Sequence, residues 1–412
     1  MGDGTMLVCL VRSLTGNLMT LSIGISSGAL YPKTLTEDAP AVGAAWGART
    51  IELMLQTVGE YDPGFISIVE RNARAAGINV SSLHTGLFHP VTAPYARRIE
   101  EGRTLFRNAV EAAHRLGAHA IVWHGATKQE MSDPETWDRF LAQASEFAGW
   151  CGEASVALAL ENVSWCALAT VRDVTAFAAR VPDLAEPGSL GFAFDPFQAG
   201  EAGANQFMML SAMHSLIVDV HLSDFKEGER HLPPGKGDLP WSALLRAITH
   251  SGYDGVMSVE APLGSRAEFD DVRDLLEPLL ESVSRDDDPW TMDPPAGLRE
   301  GIRLFNEGAY YEAHEAIEHE WHAERRPIRR LYQGILQIGV GFHHARAGNH
   351  RGAVLLLTDG IEKTAGFAPA AQGLDLARLL LESQLILDQI TAAGQDRLLT
   401  VNLSDLPTIH WT

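Results

Sequence analysis

The chain has 412 residues, 46% of them hydrophobic, and a formal net charge of −21. This length predicts two domains with a large core. The acidic excess argues against a nucleic-acid partner, because proteins that bind nucleic acids normally present a basic surface. No apolar stretch approaches the ~18 residues of a membrane span, and the start of the chain does not resemble a signal peptide. We therefore expect a cytoplasmic protein with no membrane segment.

The first two thirds of the chain alternate between short apolar strands and amphipathic helices. Eight strands are predicted, at residues 20–26, 50–55, 78–84, 119–124, 156–161, 191–195, 216–221 and 255–260. Strands without a polar face are typical of a parallel sheet covered on both sides. The eightfold alternation predicts a (β/α)8 TIM barrel over residues 19–284, preceded by an N-terminal extension, residues 1–18.

The last third of the chain changes character after an acidic, proline-rich linker at residues 285–297. Amphipathic helices follow, with breaks at Gly308, at Pro327 and at residues 348–349, and a last helix is predicted at about 374–393. Residues 298–412 are therefore expected to form a smaller all-α domain. The predicted fold class is an α/β barrel followed by this helical domain.

Histidines and carboxylates end six successive strands of the predicted barrel, where the active site of this fold lies. They are His84, His124, Glu161, Asp195, His221 and Glu260, and Glu52 lies earlier in strand two. Burying several carboxylates together is costly unless a cation compensates them. Imidazole and carboxylate ligands predict a divalent metal ion, which can be Zn²⁺, Mn²⁺, Fe²⁺ or Co²⁺.

Two further polar residues stand beside this set. Asn162 directly follows Glu161, and Asp224 lies three residues after His221. We expect both to orient the metal ligands through hydrogen bonds, with simple loop capping as the alternative.

Four segments of the chain resemble the xylose-isomerase-like barrel superfamily, which holds sugar isomerases, sugar epimerases, inosose dehydratases and endonuclease IV. The resemblance covers about residues 20–283 and rests on "ALENVS", "FAFDPFQAG", "VHLSDFKEGERHLPPGKGDLPW" and "VMSVEAP". By likeness to the sugar-epimerase branch, it implies that Glu161, Asp195, His221 and Glu260 hold one metal and that the two glutamates move a proton next to a carbonyl. The expected function is a metal-dependent isomerase or epimerase of a small polyhydroxylated or phosphorylated carbonyl compound.

The endonuclease IV branch binds three zinc ions, and His84, His124 and His231 fall where that branch has further ligands. The two branches together imply one to three ions per chain, with Mn²⁺ or Zn²⁺ expected first and Fe²⁺ or Co²⁺ as alternatives. The chain departs from the endonuclease IV pattern at Gln198, which replaces a histidine, and at Glu229, which replaces an aspartate. Both stay possible supports of the metal ligands. A metal-dependent phosphodiester hydrolase therefore stays an alternative, although the acidic charge argues against DNA as its substrate. A multi-iron, oxygen-dependent oxidase on the same ligands is a further alternative.

The helical region resembles the domain of unknown function 309 family over about residues 296–368, beginning with "FNEGAYYEAHEAIEHEWHAE". His314 and Glu318 are one helical turn apart on a face that also carries Trp321. This face suits a metal or an anion pocket, or a structural His–Glu hydrogen bond. The paired helices also resemble a protein-interaction module, so a lid over the barrel, a homo-oligomer contact and a scaffold role with an inactive barrel all stay open.

Overall fold

The structure is a computed structural model, which describes residues 21–93, 95–283 and 289–412. The predicted N-terminal extension, residues 1–18, and the first part of the predicted linker, residues 285–288, lie outside the described residues. Within the described ranges the chain forms a closed barrel and then a group of packed helices.

The first part of the chain is a closed barrel of eight parallel strands. In chain order, the strands of the barrel and of one hairpin inserted after its seventh strand are β1 (Ser22–Ser26), β2 (Thr50–Met54), β3 (Asn79–His84), β4 (Ala120–Trp123), β5 (Ala157–Glu161), β6 (Leu190–Phe194), β7 (Ile217–Leu222), β8 (Asp224–Lys226), β9 (Glu229–Leu232) and β10 (Val256–Val259). Strands β8 and β9 form a separate hairpin, and the barrel order is β1-β10-β7-β6-β5-β4-β3-β2. The barrel closes because β1 pairs with both β2 and β10. The predicted (β/α)8 fold is confirmed.

Helices follow the strands and cover the outside of the barrel. They are α1 (Ala39–Ala45), α2 (Pro63–Ala76), α3 (Arg97–Leu116), α4 (Thr136–Glu153), α5 (Val171–Ala178), α6 (Val181–Leu184), α7 (Pro196–Glu201), α8 (Gln206–Met213), α9 (Trp241–His250) and α10 (Arg266–Val283). Gly77 and Gly117 end α2 and α3 with φ of 67° and 74°, a left-handed conformation that glycine adopts without steric cost. These short caps let the chain turn directly into β3 and β4.

The buried residues of the barrel strands divide into an apolar group and a polar group. Small apolar side chains of β4, β5 and β6 pack together, namely Ala120, Val122, Ala159 and Ala193. Strands β2, β3, β7 and β10 instead bury Glu52, Ser82, Asp219 and Ser258. Because water does not reach these polar groups, each needs a hydrogen-bond partner or a bound species inside the protein.

The second part of the structure is built from five helices. They are α11 (Ala296–Asn306), α12 (Tyr310–Ala323), α13 (Arg329–Arg346), α14 (His350–Ala365) and α15 (Leu376–Arg397). A small sheet of β11 (Ala370–Ala371), β12 (Leu374–Asp375) and β13 (His410–Trp411) accompanies them. Helices α13 and α14 approach closely at Gly334 and Gly360, since a Cβ on Gly360 would lie 2.8 Å from the Gly334 carbonyl oxygen. This region confirms the predicted all-helical part of the fold.

The helical region packs against one side of the barrel. Helix α15 contacts α8, and the ring of Trp290 stacks on Phe367 with centroids 4.9 Å apart. The guanidinium of Arg246, on barrel helix α9, lies 4.3 Å from the centroid of the Trp290 ring.

None of the described helices is long and apolar enough to cross a lipid bilayer.

Candidate active site and metal centre

Three carboxylates and one histidine meet at the C-terminal end of the barrel. Glu161 ends β5, Asp195 follows β6, His221 lies in β7 and Glu260 follows β10. Each offers a ligand atom, and these atoms all lie within 4.8 Å of one another. Glu161, Asp195 and His221 are almost fully buried. The strand-end residues singled out in the sequence are therefore brought together as one cluster.

Two carboxylate oxygens of this cluster have no hydrogen-bond partner in the described part of the chain. Asp195 caps α7, where its Oδ1 accepts from the backbone N–H groups of Phe197 at 2.7 Å and Gln198 at 3.0 Å, but its Oδ2 is buried and unbonded. The Oε2 of Glu260 also accepts no hydrogen bond, although it lies 3.3 Å from His221 Nδ1. Among the described residues no Lys or Arg forms an ion pair with these carboxylates. Buried carboxylate oxygens of this kind fit a divalent cation, which Glu161, Asp195, His221 and Glu260 would hold.

Two more histidines surround one oxygen of Glu161. Its Oε2 lies 3.3 Å from His84 Nε2 and 3.1 Å from His124 Nε2, and the two nitrogens are 3.3 Å apart. Ligands bound at about 2.1 Å from one metal ion are separated by about 3.0–3.4 Å, so this triangle has the size of a second metal-binding set. His84 is buried, and His124 is partly exposed with the ring of Trp165 edge-on against it at 5.4 Å.

The pKa values of the cluster reflect strong coupling between buried charges. Burial favours neutral Glu161, but the charge of His221 and hydrogen bonds from His124 and His221 hold its pKa well below its usual range. Burial, together with the charges of Glu161 and Glu260, raises the pKa of Asp195 well above its usual range. Burial opposes protonation of His84, but its hydrogen bond to Glu161 and the charge of Glu52 raise its pKa to about 9. In the metal-free protein, the histidines therefore act as the counter-cations of the carboxylates.

Asn162 joins the ends of two neighbouring strands. Its amide nitrogen donates to the Asp195 carbonyl at 2.8 Å, and its amide oxygen accepts from the Asp195 N–H at 2.8 Å. This two-way bond fixes the backbone of Asp195 relative to β5, and with it the separation of Asp195 and Glu161.

Asp224 anchors the loop between β7 and α9. Its buried carboxylate accepts from the backbone N–H groups of Phe225, Gly235 and Leu239 and from Trp241 Nε1, at 2.8–3.1 Å. It therefore organises the loop that carries the β8–β9 hairpin and does not point into the metal-ligand cluster.

Replacing Asp224 with alanine should lower the free energy of unfolding by about 2–4 kcal/mol, because four donors in and beside the loop lose their acceptor. Chemical denaturation monitored by tryptophan fluorescence measures this effect. Asp271→Ala is the matched control: Asp271 pairs with Lys236 of the same loop but is mostly exposed, so its loss should cost under about 0.5 kcal/mol. Equal effects of the two substitutions would contradict the anchoring role.

The remaining three loop residues, which the sequence suggested as a ligand or as supports of the ligands, each have a described side-chain partner. Gln198 Oε1 accepts from the Ser164 N–H at 3.0 Å, and Glu229 is exposed and pairs with Lys226 at 3.0 Å. His231 has a left-handed backbone with φ of 51°, and its ring packs on Phe197 with centroids 4.2 Å apart. A role of His231 as a ligand stays a prediction, and Gln198 and Glu229 have partners of their own.

Two buried carboxylates below the strand ends were not selected as site residues from the sequence. Glu52 Oε2 lies 3.0 Å from His221 Nε2. Possible ligand atoms of Asp219, Glu52 and His221 lie within 4.8 Å of one another, but among the described contacts Asp219 bonds neither ring nitrogen of His221, so we do not count it among the residues that would hold the ion. A signal for Asp219 was available: it stands two residues before His221 in β7, and alternate residues of a strand share one face.

In the helical region, His314, Glu318 and Trp321, which the sequence suggested as a metal or anion site, form a loose group of partly exposed side chains on α12. His314 Nδ1 lies 4.0 Å from Glu318 Oε2 on α12, and both side chains are partly exposed. The guanidinium of Arg329 stands 5.4 Å from the centroid of the Trp321 ring. No group of three possible metal ligands was found among the described residues of this region.

The fold and the candidate site together define a closed (β/α)8 barrel with carboxylates and histidines gathered at its strand ends. The chain belongs to the xylose isomerase-like TIM barrel family, whose model matches residues 40–306. Residues 298–356 match the model of the domain of unknown function 309. The search of curated proteins gave no match.

Solved structures share the barrel at low sequence identity. A D-tagatose 3-epimerase-like protein is 20% identical, with a TM-score of 0.54, and the match covers 64% of this chain and 98% of that one. An L-ribulose 3-epimerase is 19% identical, with a TM-score of 0.53 and coverage of 66% and 100%. A 3-keto-D-glucoside 4-epimerase from E. coli is 19% identical, with a TM-score of 0.50 and coverage of 63% and 99%. These matches establish the shared fold.

Proposed function

We propose that the protein is a metal-dependent sugar isomerase or epimerase that acts on a small polyhydroxylated or phosphorylated carbonyl compound by proton transfer. One observation carries the proposal: two glutamates from separate strands converge on one histidine nitrogen. Glu161 Oε1 lies 3.2 Å and Glu260 Oε2 3.3 Å from His221 Nδ1. The three solved relatives named above as epimerases, or as epimerase-like, support the same reaction class.

The proposed chemistry divides between the two glutamates. One carboxylate removes the proton from the carbon beside the substrate carbonyl, and the other returns a proton to the same or the neighbouring carbon. Burial of the site keeps water away from the carbanion-like species formed between these transfers. A divalent metal held by Glu161, Asp195, His221 and Glu260 would polarise the carbonyl oxygen and so acidify that carbon–hydrogen bond.

Metal analysis and isotope exchange together test this function. Elemental analysis of the purified protein should find Mn or Co, about one per chain, if the four-ligand set alone is filled. The metal-loaded protein, incubated with ketopentoses and ketohexoses in D₂O, should place deuterium on the carbon beside the carbonyl, and chelation should stop the exchange. A metal-loaded protein that exchanges no carbon-bound hydrogen with any member of the panel would refute the proposed reaction.

A phosphodiester hydrolase with two metals is the second candidate, favoured by the triangle of His84, His124 and Glu161. Two ions a few ångströms apart can stabilise the attacking and leaving oxygens of a phosphoryl group. Two or three Zn per chain, with incision of an abasic-site duplex at low salt, would support it. Multiple Fe per chain would instead support the oxygen-dependent oxidase.

Alanine at His84 or His124 should remove the second ion only, because neither residue belongs to the four-ligand set. In a protein with two metals, the metal-to-chain ratio should fall from about two to about one. His119→Ala is the matched control: this histidine precedes β4 and bonds the Val218 carbonyl at 3.0 Å, away from the strand ends, so the ratio should not change. A ratio unaffected by any of the three substitutions would contradict a second metal at this triangle.

We further propose that the protein works in the cytoplasm on a small molecule and that the helical region contributes to a homo-oligomer. The exposed apolar side chains of Tyr311 on α12 and Leu355 on α14 support such a contact. Nucleic acid is not proposed as a partner, because the net charge is strongly negative.

A further inference from the structure

Glu52 is a buried carboxylate in the middle of β2, below the strand-end cluster. Its Oε2 lies 3.0 Å from His221 Nε2 and accepts a hydrogen bond from Ser82 Oγ at 3.1 Å. Neither the carboxylate nor the imidazole has measurable exposure to solvent. The contact between Glu52 and His221 is therefore shielded from bulk solvent.

The two nitrogens of His221 face in different directions. Nδ1 faces the ligand cluster, 3.2 Å from Glu161 Oε1 and 3.3 Å from Glu260 Oε2, whereas Nε2 faces Glu52. A neutral imidazole carries its hydrogen on one nitrogen only. A carboxylate beside Nε2 keeps the hydrogen there, and the lone pair of Nδ1 is then free to bind a cation.

We infer that Glu52 is a positioning residue that fixes the tautomer and the ring orientation of His221, so that Nδ1 is the metal-binding atom. This inference rests on the proposed metal site, and it adds to that site a residue outside the group that holds the ion. Carboxylate partners of this kind hold many metal-binding histidines and increase their basicity.

The local fold explains why Glu52 can hold this place. Its neighbours Ile51 and Leu53 are buried in the apolar core, and alternation along the strand directs Glu52 to the other side. The pairing of β2 with β3 shifts by one residue, from Ile51 opposite Val80 to Leu53 opposite Leu83. This irregularity lies beside Ser82, the residue that donates to Glu52. The ring of His84 stacks on His221 at 5.5 Å and 23° and restricts its rotation.

Asp219 provides a matched comparison in the same part of the barrel. It is as deeply buried as Glu52, and its Oδ1 accepts from the Val220 N–H at 2.8 Å. Among the described contacts it makes no hydrogen bond to either ring nitrogen of His221. Replacing its carboxylate with an amide removes a nearby charge but leaves the Glu52–His221 contact in place.

The test compares metal affinity in the wild type, Glu52→Gln and Asp219→Asn by titration of the full-length, metal-stripped protein with Co²⁺, monitored by calorimetry and visible absorption. Glutamine can turn its NH₂ group toward Nε2, which favours a hydrogen on Nδ1 and blocks that atom. We expect Glu52→Gln to weaken Co²⁺ binding by about 10–100-fold and to change the absorption spectrum, with Asp219→Asn within about threefold of the wild type. Ser82→Ala, which removes the hydroxyl donor to Glu52, should shift affinity in the same direction by a smaller factor.

Two further readouts separate a positioning role from a structural one. Metal-free Glu52→Gln should melt at a lower temperature than the metal-free wild type, because the substitution removes the buried partner of His221, so the Co²⁺ titrations are run at a temperature where circular dichroism shows both proteins to be folded. In the zinc-loaded wild type, ¹⁵N NMR of the histidine rings should show the His221 hydrogen on Nε2. Equal Co²⁺ affinity in the wild type and Glu52→Gln, or equal weakening in Glu52→Gln and Asp219→Asn, would overturn the inference while the metal site stands. A wild type that binds no Co²⁺ would remove both the metal site and this inference.

Discussion

Glutamine at position 161 or 260 should abolish the exchange of carbon-bound hydrogen that we propose for this protein. Each substitution keeps the size of the side chain but removes a carboxylate that would take up or return the proton. The loss of one general base costs about 10²–10⁴-fold, and each glutamate is also a candidate metal ligand, so a fall of at least about 10³-fold is expected. Deuterium incorporation from D₂O, measured by NMR at saturating substrate and metal, reports it.

Metal content must be measured in the same samples, because loss of a ligand and loss of a base have different signatures. A variant that keeps its metal but lacks exchange has lost the base, and excess metal should not restore it. Glu227→Gln is the matched control, since Glu227 is an exposed carboxylate in the β8–β9 hairpin on the same side of the barrel. Retention of wild-type exchange in both Glu161→Gln and Glu260→Gln would exclude the proton-transfer mechanism.

The position of the site could be predicted from the sequence because a parallel barrel constrains its strand ends. A residue such as Glu161 or Asp195 that ends an apolar strand has only one edge of the barrel to occupy. Eight such ends form a ring, so the sequence positions alone indicated that Glu161, Asp195, His221 and Glu260 would lie together. Helix breaks at Gly308 and Pro327 likewise predicted the helical region correctly.

The directions of individual side chains could not be predicted in the same way. Glu52 lies within an apolar strand, and it stands at a pairing shift between β2 and β3 that the sequence of neither strand indicates. His231 lies in a loop whose course is set by hydrogen bonds to Asp224, and its ring packs on Phe197. In both cases the deciding interaction is between residues distant in sequence.

The stability of the metal-free protein should fall as the pH rises from about 6.5 to about 9.5. His84 has its pKa raised to about 9 in the folded protein, where burial is outweighed by the Glu161 hydrogen bond and the Glu52 charge, against about 6.5 when unfolded. Between these values the folded state binds the extra proton, so its stabilisation is complete below pH 6.5 and is lost as the pH passes 9. The expected loss is about 3 kcal/mol. Urea denaturation of the chelator-treated protein at pH 6.5 and 9.5 measures it.

Metal should reverse this pH dependence, because the histidines must be deprotonated to act as ligands. In the presence of excess Mn²⁺ or Zn²⁺ the gain in stability over the metal-free protein should therefore be larger at pH 8 than at pH 6.5. His221, whose pKa is raised well above its usual range by Glu52 and Glu260 despite its burial, contributes with the same sign as His84. His84→Ala in the metal-free protein should flatten the alkaline slope. A metal-free wild type whose stability rises over this range would show that the histidines are already neutral and that the buried carboxylates are compensated in another way.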